Sequence, residues 1–309
     1  MPQMNARAIG LVVLLLLPAA VAYRLGHDEF AHYCVLGTVL AFHLGVQARQ
    51  LATFGVLIPF VYAAAAVTAN HTDGVAALIV AVAAATGAAS SLGYHRGLLA
   101  VLAAVLIGSY EPAEAEVVVG RAMSMLSGAC YGVVLVYSVA RGLYARTIAV
   151  SSHTALGYSM LLAVLVLVAW FMSRGAHVTT LWWLPLAVAA IGEPWLERTP
   201  GRAVGKLAMA LAATLVMLTL LEPVTEPAFR AACAVVLMLC LVLAGRGRPW
   251  LQGFLFTPVL VLLASDDRNH ASTDYLQATL LAFAVVAVFT VLGKWVLWTL
   301  RPDTGHAAV

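Results

Sequence analysis

The sequence predicts an all-α polytopic membrane protein of about twelve transmembrane helices, arranged as two parallel six-helix repeats, a pseudo-dimer within one chain. Two observations carry this expectation. Of 309 residues, 63% are hydrophobic and 10% charged, and the mean hydropathy is +0.95, too apolar for a water-soluble domain of this length. Sliding the chain by 153 positions also returns the same order of apolar runs, basic turns and acidic loops.

Apolar runs lie near 7–23, 31–47, 51–69, 75–93, 97–110, 117–140, 154–172, 178–193, 203–221, 229–244, 251–264 and 275–298. Several are shorter than the roughly 20 residues that cross a bilayer upright, so their helices extend into flanking polar residues. The first run, with Arg7 and Pro18-Ala19-Ala20-Val21-Ala22, imitates a signal peptide with an Ala-x-Ala cleavage site. It is read as a retained helix, because its counterpart at 154–172 is internal.

Charge sets the expected orientation. Arg7, Arg49, Arg96, Arg141, Arg146, Arg198, Arg202, Lys206, Arg246, Arg248, Lys294 and Arg301 fall at the termini and in every second turn, while Arg24, Arg121, Arg174, Arg230 and Arg268 belong to the other side. The positive-inside rule then places both termini in the cytoplasm of a multi-pass cell-membrane (inner or plasma membrane) protein. Most acids, including Asp28, Glu29, Glu111, Glu114 and Asp274, fall in the outer loops.

At the repeat offset, Arg49 falls on Arg202, Ala48 on Gly201, Ala52 on Gly205, Arg121 on Asp274 and Arg141 on Lys294. An even number of helices per half starts both halves on the same side, so the repeats are parallel about an axis normal to the membrane. The units divide as 1–150 and 151–309. Symmetry about that axis predicts an Arg121–Asp274 ion pair closing the outer side, or else two separate helix-end charges.

The most informative stretch runs from Thr179 to Leu220. A run carrying Trp182, Trp183 and Pro185 ends at Glu193-Pro194. A short link follows, and a second run opens with Gly201-Arg202-Ala203-Val204-Gly205-Lys206. Gly201 and Gly205, four apart, let two backbones approach closely in lipid. These residues resemble the integral membrane domain of the fusaric acid resistance protein-like, or aromatic acid exporter, family. That family more often has Gln-Pro where this chain has Glu193-Pro194, and Thr where it has Lys206. The resemblance covers roughly Ala8 to Leu300 and is strongest in the second half. It implies a six-helix unit, here in tandem, whose relatives export aromatic carboxylic acids and other organic anions. The plant aluminium-activated malate transporters look like a more distant version of the same unit.

Cys34, Cys130, Cys233 and Cys240 lie in apolar runs without metal-like spacing and read as packing thiols. His27-Asp28-Glu29-Phe30-Ala31-His32 has ligand types but not the His-Glu-x-x-His order. No metal or other cofactor is expected, and no nucleophile elbow or phosphate loop suggests an enzyme. His43 is either a proton relay or a hydrogen-bonded structural histidine, and Glu193 is first a local ion-pair partner of Arg198 or Arg202. Trp182 and Trp183 are packing or interfacial aromatics, or else a wall for an aromatic substrate. Gly120, Ser124, Gly128 and Gly132, spaced by four, form a small-residue face that should pack on a helix or line a cavity.

The expected function is export of organic anions, with Arg49, Arg202, Arg141 and Lys294 as a basic ring at the inner mouth. A passive organic-anion channel on the same architecture is the alternative, and a non-transporting membrane scaffold the second. The expected partners are the substrate anion and the lipid bilayer; nucleic acid is not among them, and a homo-oligomer or an adaptor protein stays open.

Overall fold

The computed structural model describes residues 17–18, 20–47, 49–138, 149–175, 183–191 and 280–291, together with positions 10, 13, 14, 204, 208, 212 and 277. Among the described residues the protein is helical, with no strand. Helix α1 is helical at every described position from 10 to 24. It is followed by α2 (Asp28–Gln47), α3 (Ile58–Thr68), α4 (Thr72–Ala88), α5 (His95–Tyr110), α6 (Ala115–Ser138), α7 (Ser152–Gly175) and α8 (Trp183–Ile191). A further apolar helix, α9, covers Leu280–Val291.

Among the described residues three helical stretches are long and apolar enough to cross a membrane: Thr72–Leu92, Ala115–Ser138 and Ser152–Arg174, with mean hydropathies of 2.0, 1.5 and 2.2. At 1.5 Å per residue, 21 residues reach about 31 Å, the thickness of a hydrocarbon core. Large apolar side chains such as Val119, Met123, Val134, Leu156, Met160 and Phe171 point outward on these helices. That surface suits lipid better than water, and together with the three long helices it points to a membrane protein.

The run expected as one helix at 51–69 is divided. Arg49–Leu57 winds as a 3-10 helix, and α3 begins only at Ile58, with Pro59 in its first turn. Proline lacks an N–H and its ring crowds the carbonyl four residues earlier, so an α-helix entering Pro59 from Gly55 is disfavoured while one starting there is not. Two tight connections use left-handed glycines. Gly26 (φ 78°) separates α1 from α2, and Gly93 (φ 76°) ends the short 3-10 segment Ala89–Leu92, its N–H returning to the Ala89 and Ser90 carbonyls.

Packing pairs α2 with α6, α3 with α5, and α4 with α7. The ends of the bundle follow from the contacts. The Tyr110 and Ser173 hydroxyls hydrogen-bond where α5 and α7 end, whereas the Val150 N–H reaches the Ser90 carbonyl at the opposite end. Helices on both sides of residue 150 share one buried core, which holds Tyr62, Leu106 and Trp170 at zero exposure. The counterpart helices that would complete a twelve-helix repeat lie mostly outside the described residues.

Candidate functional site

The site is built on the contact between α2 and α6. A Cβ added at Gly128 would run into the carbonyl oxygen of Cys34, one at Gly37 into that of Met125, and one at Gly132 would come within 2.6 Å of the Thr38 carbonyl oxygen. Only glycine allows backbones this close. Thr38, buried, places its hydroxyl 2.8 Å from the Cys34 carbonyl of its own helix and 3.0 Å from the Gly128 carbonyl across the interface. Since 121 meets 29, 128 meets 34 and 132 meets 38, the two helices run parallel.

That register brings the first turns of α2 and α6 side by side. Arg121 donates from Nε to Glu29 Oε1 at 2.8 Å, and its Nη1 lies 3.9 Å from Glu111 Oε2. The guanidinium stands over the ring of Tyr33, 5.2 Å from its centroid. The Tyr33 hydroxyl donates to Glu111 Oε2 at 2.7 Å, and the Tyr62 hydroxyl donates to the same oxygen at 2.9 Å. Tyr33 is 5% exposed and Tyr62 fully buried, so each phenol needs a partner where water is scarce, and one carboxylate serves both. The chain can present Glu111 there because α5 stops at Tyr110 and Pro112 follows, which prevents the helix from carrying on. Glu29 and Tyr33, four apart, share one face of α2.

Beside this network lies an open cleft of 430 Å³ between the starts of α2 and α6, lined in part by His27, Glu29, Phe30, Val117, Gly120 and Arg121. The arrangement offers a cation on the wall of a cavity, held by two carboxylates and an aromatic face. Such a group can anchor an anion or lock two helices together. Among the described residues no group of three His, Cys, Asp or Glu side chains converges as a metal site would.

The expected site residues distribute unevenly. On the small-residue face of α6, Ser124, Gly128 and Gly132 are partly or wholly buried against α2 or their own helix, while Gly120 faces open space at the cleft. Arg121 is engaged by Glu29 and Glu111. His43 lies half-buried on α2. Arg49 opens the 3-10 segment and Trp183 opens α8. Arg141, Trp182, Glu193, Gly201, Arg202, Gly205, Asp274 and Lys294 lie outside the described residues, so the basic ring and the Arg121–Asp274 pair fall there in whole or in part.

Sequence reasoning placed Glu29 and Glu111 among outer-loop acids and passed over Tyr33 and Tyr62. The four-residue spacing of Glu29 and Tyr33 was the available signal. Nothing in the spacing announced that Glu111, 78 residues from Tyr33, would close the set. No protein-family model, no curated protein and no solved structure matches this chain.

Proposed function

We propose that the protein is a membrane transporter that exports organic anions, with aromatic or amphipathic carboxylates as the substrate class that fits best. The observation that supports this is Arg121. A guanidinium on an apolar, membrane-length helix is costly in lipid and marks an ion or substrate path by default, and here it lines a cleft with Phe30 and Val117 as apolar walls. In this proposal the α5–α6 connection faces outward and the end bearing His95 and Ser152 faces the cytoplasm, as the distribution of basic residues favours. The two halves form a pseudo-dimer about a central axis. Arg49 and Arg202, with Arg141 and Lys294, concentrate anions at the inner mouth.

The test is flux of benzoate in proteoliposomes holding the full chain. Wild type accumulates benzoate against its gradient when a proton gradient is imposed. The double variant Arg49→Gln/Arg202→Gln loses most of that flux. Arg24→Gln, an exposed arginine at the other end of the bundle, keeps it. Flux that only follows the electrochemical gradient makes the protein a channel; no flux of any organic acid makes it a scaffold. Equal loss from both sets of variants refutes the recruiting role of the inner arginines.

A further inference from the structure

The cleft between the first turns of α2 and α6 combines three properties that neither helix has alone. Its wall carries Arg121, whose guanidinium has five N–H donors and whose Nε is taken by Glu29. The Glu29 side chain is 62% exposed, and an ion pair that open to solvent is weakly held. Phe30 and Val117, 40% and 41% exposed, give the cleft an apolar surface. Gly120 meets no atom within 4 Å of where its Cβ would stand, so the space above it is open.

We propose that this cleft is a binding site for an amphipathic organic carboxylate, which displaces Glu29 from Arg121 and lays its apolar body against Phe30 and Val117. The proposal rests on the organic-anion function above and assigns it an outer-end site. Glu111 stays in place during the exchange, because two buried phenols hold it in addition to Arg121. Among the described residues Glu29 is held by the guanidinium alone. A carboxylate replacing Glu29 re-forms the same charge-assisted bond, so Arg121 is never left unpaired. The exchange adds apolar contact that the Glu29 side chain does not make. Asp28, also on the cleft wall, opposes an incoming anion and lowers the affinity.

The experiment is calorimetric titration of benzoate into the purified full chain in detergent micelles, with benzyl alcohol as an uncharged comparison. Wild type is expected to bind benzoate and not benzyl alcohol. Glu29→Ala removes the competitor and tightens binding about threefold, the range open to an exposed ion pair. Arg121→Gln weakens it by about tenfold or more. Because Arg121→Gln can disturb folding through Glu111, a second variant carries the same test: Gly120→Leu puts a side chain into the cleft where nothing else stands, and it abolishes binding. Gly157→Leu, on α7 at a position equally free of neighbours, leaves binding unchanged. Absence of benzoate binding in both wild type and Glu29→Ala overturns the proposal, and so does binding indifferent to Gly120→Leu. Benzoate flux that survives Gly120→Leu with unchanged binding sinks the cleft and spares the transport function. Binding that obeys all four variants without flux through wild type spares the cleft and sinks transport.

Discussion

Gly128→Ala is the smallest change that tests how the bundle is held. The new methyl would meet the Cys34 carbonyl oxygen, with the carbonyl carbon at 2.7 Å and Thr38 Oγ1 at 2.9 Å, where ordinary contact begins near 3.4 Å. The carbonyl carbon alone requires α2 and α6 to part by about 0.7 Å to reach ordinary contact, the nearer oxygen requires more, and neither obstacle is the loose end of a long side chain. Overpacking of this kind costs about 1–3 kcal/mol, and the Thr38–Gly128 hydrogen bond adds about 0.6 kcal/mol if it breaks. Against this stands the helix preference for alanine over glycine, about 0.8–1 kcal/mol. The net expectation is a loss of about 0.6–2.8 kcal/mol. Gly120→Ala, eight residues earlier on the same helix and with no neighbour to strike, should gain about 1 kcal/mol from the same preference. Equilibrium unfolding in mixed micelles with increasing denaturing detergent compares the two, and opposite signs are expected. If Gly128→Ala is as stable as Gly120→Ala, the close parallel packing of α2 and α6 is wrong.

Tyr62→Phe deletes one of two phenols that share Glu111 and should cost about 1.5–3 kcal/mol in the same unfolding assay, the usual loss for a hydrogen bond to a charged group; a stability equal to wild type would mean that water replaces the hydroxyl freely. Gly87→Ala drives a methyl into the backbone of Ser159, whose nitrogen lies 2.8 Å from the new Cβ, and should loosen α4 from α7 by about 1 kcal/mol or more. Thermal inactivation at a lower temperature than wild type is the expected readout, and an unchanged or higher temperature would contradict the contact.

Helix existence was legible because it depends on local apolar length. The runs at 31–47, 97–110 and 117–140 became α2, α5 and α6 with ends shifted by a few residues. The polar extension expected of short runs appears at Asp28-Glu29, which α2 absorbs into its first turn. The division at Pro59 was missed because hydropathy does not distinguish a 3-10 turn from an α-helix, although the proline was in view. The α6 glycines were legible as a face, but its partner was not. What selects α2 is the matching gap at Gly37 and the hydroxyl of Thr38, and such complementarity between distant segments leaves no mark in the periodicity of either. Arg121 stood out in the sequence as the position matching Asp274 at the repeat offset, and its partners did not, because repeat symmetry points to Asp274 and never to Glu29 or Glu111 in the same half.

That last difference can be decided by coupling energies. At the offset of 153 the residues matching Glu29, Tyr33, Tyr62 and Glu111 are Trp182, Leu186, Leu215 and Ala264. A repeat at this offset therefore cannot reproduce the polar network at the matching positions. Arg121 already has one carboxylate at 2.8 Å and another at 3.9 Å, so a pair with Asp274 would bring a third acid to one cation, and the repulsion among the acids would erode each gain. A double-mutant cycle separates the two arrangements. Arg121→Gln combined with Glu29→Gln/Glu111→Gln should depart from additivity by about 1 kcal/mol, the sum expected from two partly exposed pairs. Arg121→Gln combined with Asp274→Asn should be additive to within about 0.5 kcal/mol, as for groups that share no contact. A coupling to Asp274 as large as that to the two glutamates would instead place Arg121 on the central axis, closing one half of the chain against the other.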